Sequence, residues 1–254
     1  MSVYRDLGNH AGQNKLLFII PSLYFSPNLR KKIVLYIKSC RTCQIAKHAN
    51  RPPFRKLRPI PTPHNTFDFL STDTVVLGNL AKNTRHKYIQ VFIDHLSRFI
   101  WAFPTVNNTT DTIIKCIDKI IVSSSRKPLH IISDNFKSYT ASKFKNYLHK
   151  NNIEHTYTTA YMPTSNGLVK KANHTITSAL RFLCIENPNL KWPTLLPTAV
   201  ARYNDNVHDS TKFSPFLVMY GKDDSPIPTN LTHQQILAMA RHNSELLRTR
   251  EARP

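Results

Sequence analysis

The sequence is short of acid. Its 254 residues carry 15 Asp and Glu against 35 Lys and Arg, for a formal charge of +20 and a pI of about 10.0. Such an imbalance on a folded chain favours a polyanionic partner, nucleic acid above all, over a small-molecule substrate. The shortage is also local: no Asp or Glu stands between Glu154 and Glu186. Long apolar runs are missing as well. None approaches the roughly 20 residues of a membrane helix, so no membrane partner is expected. The N-terminus lacks the charged, apolar, small-residue order of a signal peptide. Four cysteines, two of them in a CxxC at Cys40 and Cys43, are too few for a disulfide scaffold and suit a reducing compartment. No internal repeat is present, and this length suits one or two domains with a sizeable core.

The chain divides by composition. Residues 1–48 read as a small helical module: Ser26 and Pro27 form a cap and first turn, and Leu29, Ile33 and Ile37 mark a helix face. Cys40 and Cys43 close it, with His10 thirty positions before Cys40 (40 − 10). Read alone, these residues are either a zinc site or two ordinary thiols in a metal-free bundle. Residues 49–63 are too proline-rich for helix or central strand and form an extended linker. Arg51, Arg55, Lys56 and Arg58 make that linker a basic strap able to follow a phosphate backbone, or simply a solvated one.

Residues 64–225 form the core. Strands are expected at 69–77, 88–93, 99–103, 129–133 and 153–158, with helices near 110–123 and through Phe144, Tyr147 and Leu148. Strands first, then alternating helices and strands, predict an α/β fold with a mixed sheet and helices on both faces. Asp134 ends an apolar run, and Thr164, Ser165 and Asn166 announce a helix from Gly167. In that helix Val169, Ala172, Ile176, Ala179 and Leu183 form the core stripe. Lys170, His174, Thr177 and Arg181 lie on another face, beside Lys171. Asp94 is expected to brace its strand end. Cys116 and Cys184 are expected to be buried, inert thiols. Residues 226–254 read as a basic terminal helix that can detach from the core.

The motifs FDFLSTDTVVLGN, KYIQVFIDHLSRFIWAFP, IISDN, TTAYMPTSNGLVKKAN, WPTLLPTAVARYN and HDSTKFSPF, in that order, resemble a retroviral-type integrase, specifically the gypsy class of LTR retrotransposons. The resemblance covers nearly the whole chain. It implies an RNase H-like core behind a His-His-Cys-Cys zinc module, with DNA as partner, a homo-oligomer as assembly, and the nucleus as location. It also implies a catalytic Asp, Asp, Glu trio holding Mg or Mn, the last two carboxylates 36 positions apart.

Here Asp73 and Asp134 hold the Asp places, and Lys170 stands 36 positions past Asp134 (170 − 134) in place of the Glu. Phe136, Met162 and Leu168 are further departures. The zinc module retains His10, Cys40 and Cys43, with Arg5 at the fourth ligand's place and Asp6 beside it. Trp192, Tyr203, Asn204, Thr211, Pro215 and Phe216 match positions read as packing. Family members usually continue beyond this point into a small C-terminal DNA- or chromatin-binding domain.

The expectation is therefore a DNA-binding, integrase-like protein whose strand transfer is lost because Lys170 replaces a metal-binding carboxylate. Lys170 is expected to form an ion pair with Asp73 and Asp134, its ammonium taking the metal's space. Lys170, Lys171, His174 and Arg181 are the expected DNA contacts. The alternatives are an active enzyme completed by a partner subunit's carboxylate, a domesticated architectural or interaction protein, and a decaying copy.

Overall fold

The computed structural model describes residues 16–17, 20–21, 23–39, 62–78, 84–158, 167–222 and 230–251. By its internal packing the chain forms two units, residues 1–57 and 58–254. In the first unit, helix α1 (Leu29–Ser39) follows a turn at Pro27–Asn28 and buries Ile33 beside Leu16. Leu29, Tyr36 and Ile37 pack on the same small cluster. His10, Cys40 and Cys43, with Arg5 and Asp6, lie outside the described residues, as do Arg51, Arg55, Lys56 and Arg58.

The second unit is built on a five-stranded sheet: β1 (Phe69–Val76), β2 (Tyr88–Asp94), β3 (Ile100–Thr105), β4 (His130–Ser133) and β5 (Glu154–Tyr157). Its spatial order is β3-β2-β1-β4-β5. The β1–β2 and β2–β3 pairs are antiparallel; β1–β4 and β4–β5 are parallel. Parallel neighbours need crossovers. Helix α2 (Thr110–Ser124) supplies one between β3 and β4. The short α3 (Lys137–Thr140) and α4 (Ser142–Lys150) supply the other between β4 and β5. The mixed sheet expected from the sequence is present, with boundaries shifted by a residue or two.

Period-two alternation sorts β2 onto two cores. Phe92 points into a cluster with Ile113, Ile117, Phe144 and Leu148, from α2 and α4. Ile89, Val91 and Ile93 point into the opposite cluster with Val169, Ala172, Ile176, Leu180 and Leu183. Those five lie on α5 (Gly167–Glu186), whose apolar stripe falls where the sequence placed it except that Leu180, not the expected Ala179, is the fully buried residue at that step, with Ala179 partly buried beside it. Helix α6 (Trp192–Asp205) covers the same face, and buried Asn204 caps the edge of β3 by bonding both Ile100 N (2.9 Å) and Ile100 O (3.0 Å). The packing roles expected of Trp192 and Asn204 are therefore visible.

Helix α7 (Pro215–Tyr220) is capped by Ser214 and ends at Gly221, whose φ of +69° suits glycine. The terminal helix α8 (His233–Glu251) does not stand off. Ile236 and Ala240 are buried against Leu217 and Val218, and Asn243 donates to Thr211 O (2.9 Å). The detachable tail expected from its basic composition is thus a docked helix, because its apolar residues repeat at a core-facing spacing. Cys116 is buried as expected and burial pushes its thiol up to about 11, whereas Cys184 is half-buried.

Candidate active site and nucleic-acid interface

The parallel register of β1 on β4 pairs Ser71 with Ile132. The paired register stops there, and Asp134 is the first residue after β4, near enough to Asp73 of β1 for the charge of one to act on the other. Asp73 sits mid-strand, paired with Val91 of β2 and half-buried. Asp134 follows the last residue of β4, and its Oδ1 accepts from Phe136 N (3.1 Å), closing a turn. Behind Asp134, Ser133 Oγ donates to the Asp134 main-chain oxygen (2.9 Å) and meets His155 Nε2 (2.9 Å).

Alternation along β1 sends Asp73 toward α5 and sends Thr72 and Thr74 to the other face. There a buried polar floor forms. Gln90 Nε2 donates to Thr72 Oγ1 (2.6 Å) and Tyr139 OH (2.8 Å), while Thr74 Oγ1 donates to Gln90 Oε1 (2.8 Å). Burial pushes the Tyr139 phenol up to about 12, so it stays neutral. On the α5 side, Asp73 Oδ2 accepts from Asn173 Nδ2 (2.8 Å) and Oδ1 from Thr74 N (2.8 Å).

Burial pushes the Asp73 carboxyl above the usual carboxylate range. The Thr74 N–H opposes that shift, the Asp134 charge adds to it, and Lys170 and Asn173 oppose it. Lys170 therefore stands near enough to be felt. It is nonetheless exposed, and among the described residues no ion pair within 4.0 Å joins it to Asp73 or Asp134. The ion pair expected from the sequence is corrected on this point. An exposed ammonium keeps its hydration, and Asn173, one turn further along α5, is the group that reaches Asp73. Sequence reasoning missed Asn173. Its signal was the spacing of three from Lys170, which places both on one helix face.

Among the described residues no three His, Cys, Asp or Glu side chains converge on a metal position. Two carboxylates remain, one of them already engaged by an amide, with an ammonium nearby. This donor set does not fit a two-ion centre, which needs carboxylate oxygens on both ions. Glu186 cannot supply the third, since it terminates α5 some 24 Å along an ideal helix from Lys170.

The solvent face of α5 carries Lys170, Lys171, His174 and Arg181, all exposed. Lys170 and Arg181 are eleven residues apart, three turns, on nearly one line about 16 Å long. Lys171 is also sensed by His208, in the loop after α6. The basic face expected from the sequence is thus assembled on one helix.

Two histidines beside this region are held neutral. Burial first, then the charges of His130 and Lys145, lower His155 from 6.5 to about 4. Burial, then Arg98 and Lys171, lower His208 to about 4. Between these values the unfolded chain binds protons that the folded chain refuses, so stability falls as pH drops from 6.5 toward 4. Thermal unfolding across that window is expected to show the loss. His155→Gln combined with His208→Gln is expected to flatten it.

The comparisons with known proteins follow this geometry. An integrase core domain model matches residues 63–163, and an integrase zinc-binding domain model matches residues 1–49. The core match ends short of Lys170. The chain thus carries an integrase core domain behind an integrase zinc-binding domain. It is 27% identical over 223 residues to the transposon Tf2-3 polyprotein of Schizosaccharomyces pombe. That alignment takes 87% of this chain but 16% of the relative, so the chain spans about a sixth of the curated relatives it matches. Among solved structures it resembles the HTLV-2 integrase catalytic core domain in complex with magnesium: TM-score 0.52, 21% identity, 64% of this chain and 100% of that one. It also resembles the simian T-cell lymphotropic virus intasome bound to the PP2A regulatory subunit B56 gamma: TM-score 0.60, 22% identity, 91% of this chain and 77% of that one. These structural likenesses carry the fold, an RNase H-like integrase core.

Proposed function

We propose that the chain is a DNA-binding integrase of the gypsy class that has lost strand transfer. One observation carries this reading: Lys170, not a carboxylate, stands on α5 near enough for its charge to reach Asp73, as does that of Asp134, and no third acid joins them among the described residues. The basic face of α5 meets the phosphate backbone through Lys170, Lys171, His174 and Arg181, and the substitution adds a cation to that face. The linker residues Arg51, Arg55, Lys56 and Arg58 extend the contact. His10, Cys40 and Cys43 bind zinc more weakly than a four-ligand set. The protein acts as a homo-oligomer in the nucleus, where its DNA is.

Duplex DNA affinity is expected to fall steeply with salt, the log–log slope being about −3 or steeper, because each phosphate contact releases counterions. Lys171→Glu with Arg181→Glu is expected to reduce that slope by about 2. Fluorescence anisotropy at graded KCl measures both. Absence of binding at low salt would refute the DNA-binding reading.

A further inference from the structure

Residues 206–213, between α6 and α7, form a turn closed on itself. Lys212 N donates to His208 O (2.8 Å), His208 N donates to Phe213 O (3.0 Å), and Thr211 Oγ1 donates to Phe213 O (2.9 Å). Helix α8 fastens the turn, Asn243 Nδ2 donating to Thr211 O. Lys212 has φ +64°, a left-handed conformation that a lysine rarely adopts. Such strain persists only where the surroundings hold it, as these bonds do, and it marks the turn for scrutiny. Ser210 N (3.2 Å) and Ser210 Oγ (2.9 Å) both meet His208 Nδ1. A main-chain N–H can only donate, so Nδ1 is the acceptor and the ring proton sits on Nε2. Ser210 Oγ itself accepts from Arg98 Nε (3.0 Å). The half-buried imidazole is thereby fixed in tautomer and orientation, and among the described residues no acceptor meets its Nε2–H.

The charges that reach this ring are mostly of one sign. Arg98 at the β2–β3 turn, Lys171 on α5 and Lys212 on the turn itself each oppose a proton on His208, and Asp209 alone favours one. Tyr203 of α6 adds a neutral ring with its centroid 6.2 Å away, its phenol pushed up to about 12 by burial. The charge of buried Arg98 also acts on Asp94. Lys171 and Lys212 are exposed. Asp209 meets Lys212 only at 3.8 Å, with both side chains in solvent, so that pair is weak. A fixed N–H donor with two exposed ammonium groups in charge range suits an oxyanion and repels a cation.

We infer that His208, Lys171 and Lys212 form a phosphate site that takes one backbone phosphate of bound DNA. The His208 Nε2–H donates to a phosphate oxygen, and the two lysines balance its charge. Lys171 joins this site to the basic line of α5, so the inference rests on the DNA-binding reading and extends the contact to a second element. The site also links DNA to protons. Burial, then Arg98 and Lys171, hold the free ring neutral down to about pH 4. A bound phosphate answers the cations, though not the burial, so the ring's pKa moves part of the way back toward 6.5. The complex then takes up a proton that the free chain refuses, and affinity through this site rises as pH falls from 6.5 toward 4.

The test follows the His208 ring signals by NMR as the whole chain is taken from pH 7.5 down to 4.5, alone, with duplex DNA, and with inorganic phosphate. His208→Gln identifies the signals by their loss. The free ring is expected to stay mostly neutral throughout, and DNA is expected to raise its titration midpoint by about one pH unit or more. Lys212→Asn removes a cation with a residue that tolerates the left-handed turn. It is expected to shrink that rise and to reduce the log–log salt slope of DNA binding by about 1. DNA that binds without moving the His208 titration would overturn the site and leave the DNA-binding reading standing. No binding at low salt would overturn both. A shift with inorganic phosphate and none with DNA would assign the site to a free phosphate and reject the backbone contact. Parental slope and titration in Lys212→Asn would reject it as well.

Discussion

Lys170→Glu is expected to confer the metal-dependent strand transfer that the proposed function denies to the unmodified chain. The reason is charge and ligand count at one position. Two unit charges about 6 Å apart at an effective dielectric of 20 interact by about 3 kcal/mol. The exchange moves the local charge by two units beside a divalent ion, so the formal swing is several times larger. Lys170 is exposed, and solvent removes most of that. An effect of about 2 kcal/mol, roughly 30-fold in Mn²⁺ affinity, is what survives the discount. The added oxygen ligand comes on top. Asp73 on β1 and Asp134 just past β4 are already close enough to sense each other's charge, and Asn173 already orients Asp73, so the scaffold needs no rebuilding.

Mn²⁺ calorimetry and strand transfer on end-processed duplex DNA, run on both chains, check the expectation. Strand transfer by the unmodified chain would refute the loss and point to a carboxylate supplied by another subunit. Tighter metal binding without activity in the variant would move the fault to Phe136, Met162 and Leu168, or to the zinc module.

The largest expected effect on stability is at Asp94, away from the chemistry. Its buried carboxylate accepts from Phe67 N (2.8 Å) at Oδ1, and from Leu96 N (3.2 Å), Ser97 N (2.7 Å) and Ser97 Oγ (2.7 Å) at Oδ2. It ties the β2–β3 turn to the segment entering β1. Both ends of that tie are held in a backbone conformation that side chains resist: Phe67 has φ +73° and Arg98 φ +67°. Asp94→Ala strands three backbone donors and a hydroxyl in the interior, at about 3–5 kcal/mol. For a domain of this size that lowers the melting temperature by about 10 °C. Asp94→Asn keeps one acceptor oxygen and is expected to fall between the two. An Ala variant that melts with the parent would mean that water replaces the carboxylate there.

Local pattern made most of the fold legible. The β2 run alternates so that Ile89, Val91 and Ile93 share one face and Phe92 takes the other, which is the signature of a strand buried on both sides. The α5 stripe repeats at helical spacing, and its core residues and solvent-facing cations separate on sequence alone. The resemblance to integrases, and not the residues' own pattern, implied that Lys170 holds the place of a carboxylate 36 positions past Asp134. The docking of α8 was less legible, because basic composition masked the Ile236 and Ala240 spacing.

What the sequence by itself determined is therefore the order of elements, the two-faced burial of the sheet and the excess of cations. These follow from residue type and period, which local sterics and hydrophobic burial translate directly into elements. The tertiary structure alone decided that Asp73 faces Asn173, that Lys170 stays hydrated beside the acids, and that His155 meets Ser133. It also decided which strand stands at the end of the sheet among the described residues. Each of these depends on strand register and helix placement, where a shift of one residue turns every side chain to the other face.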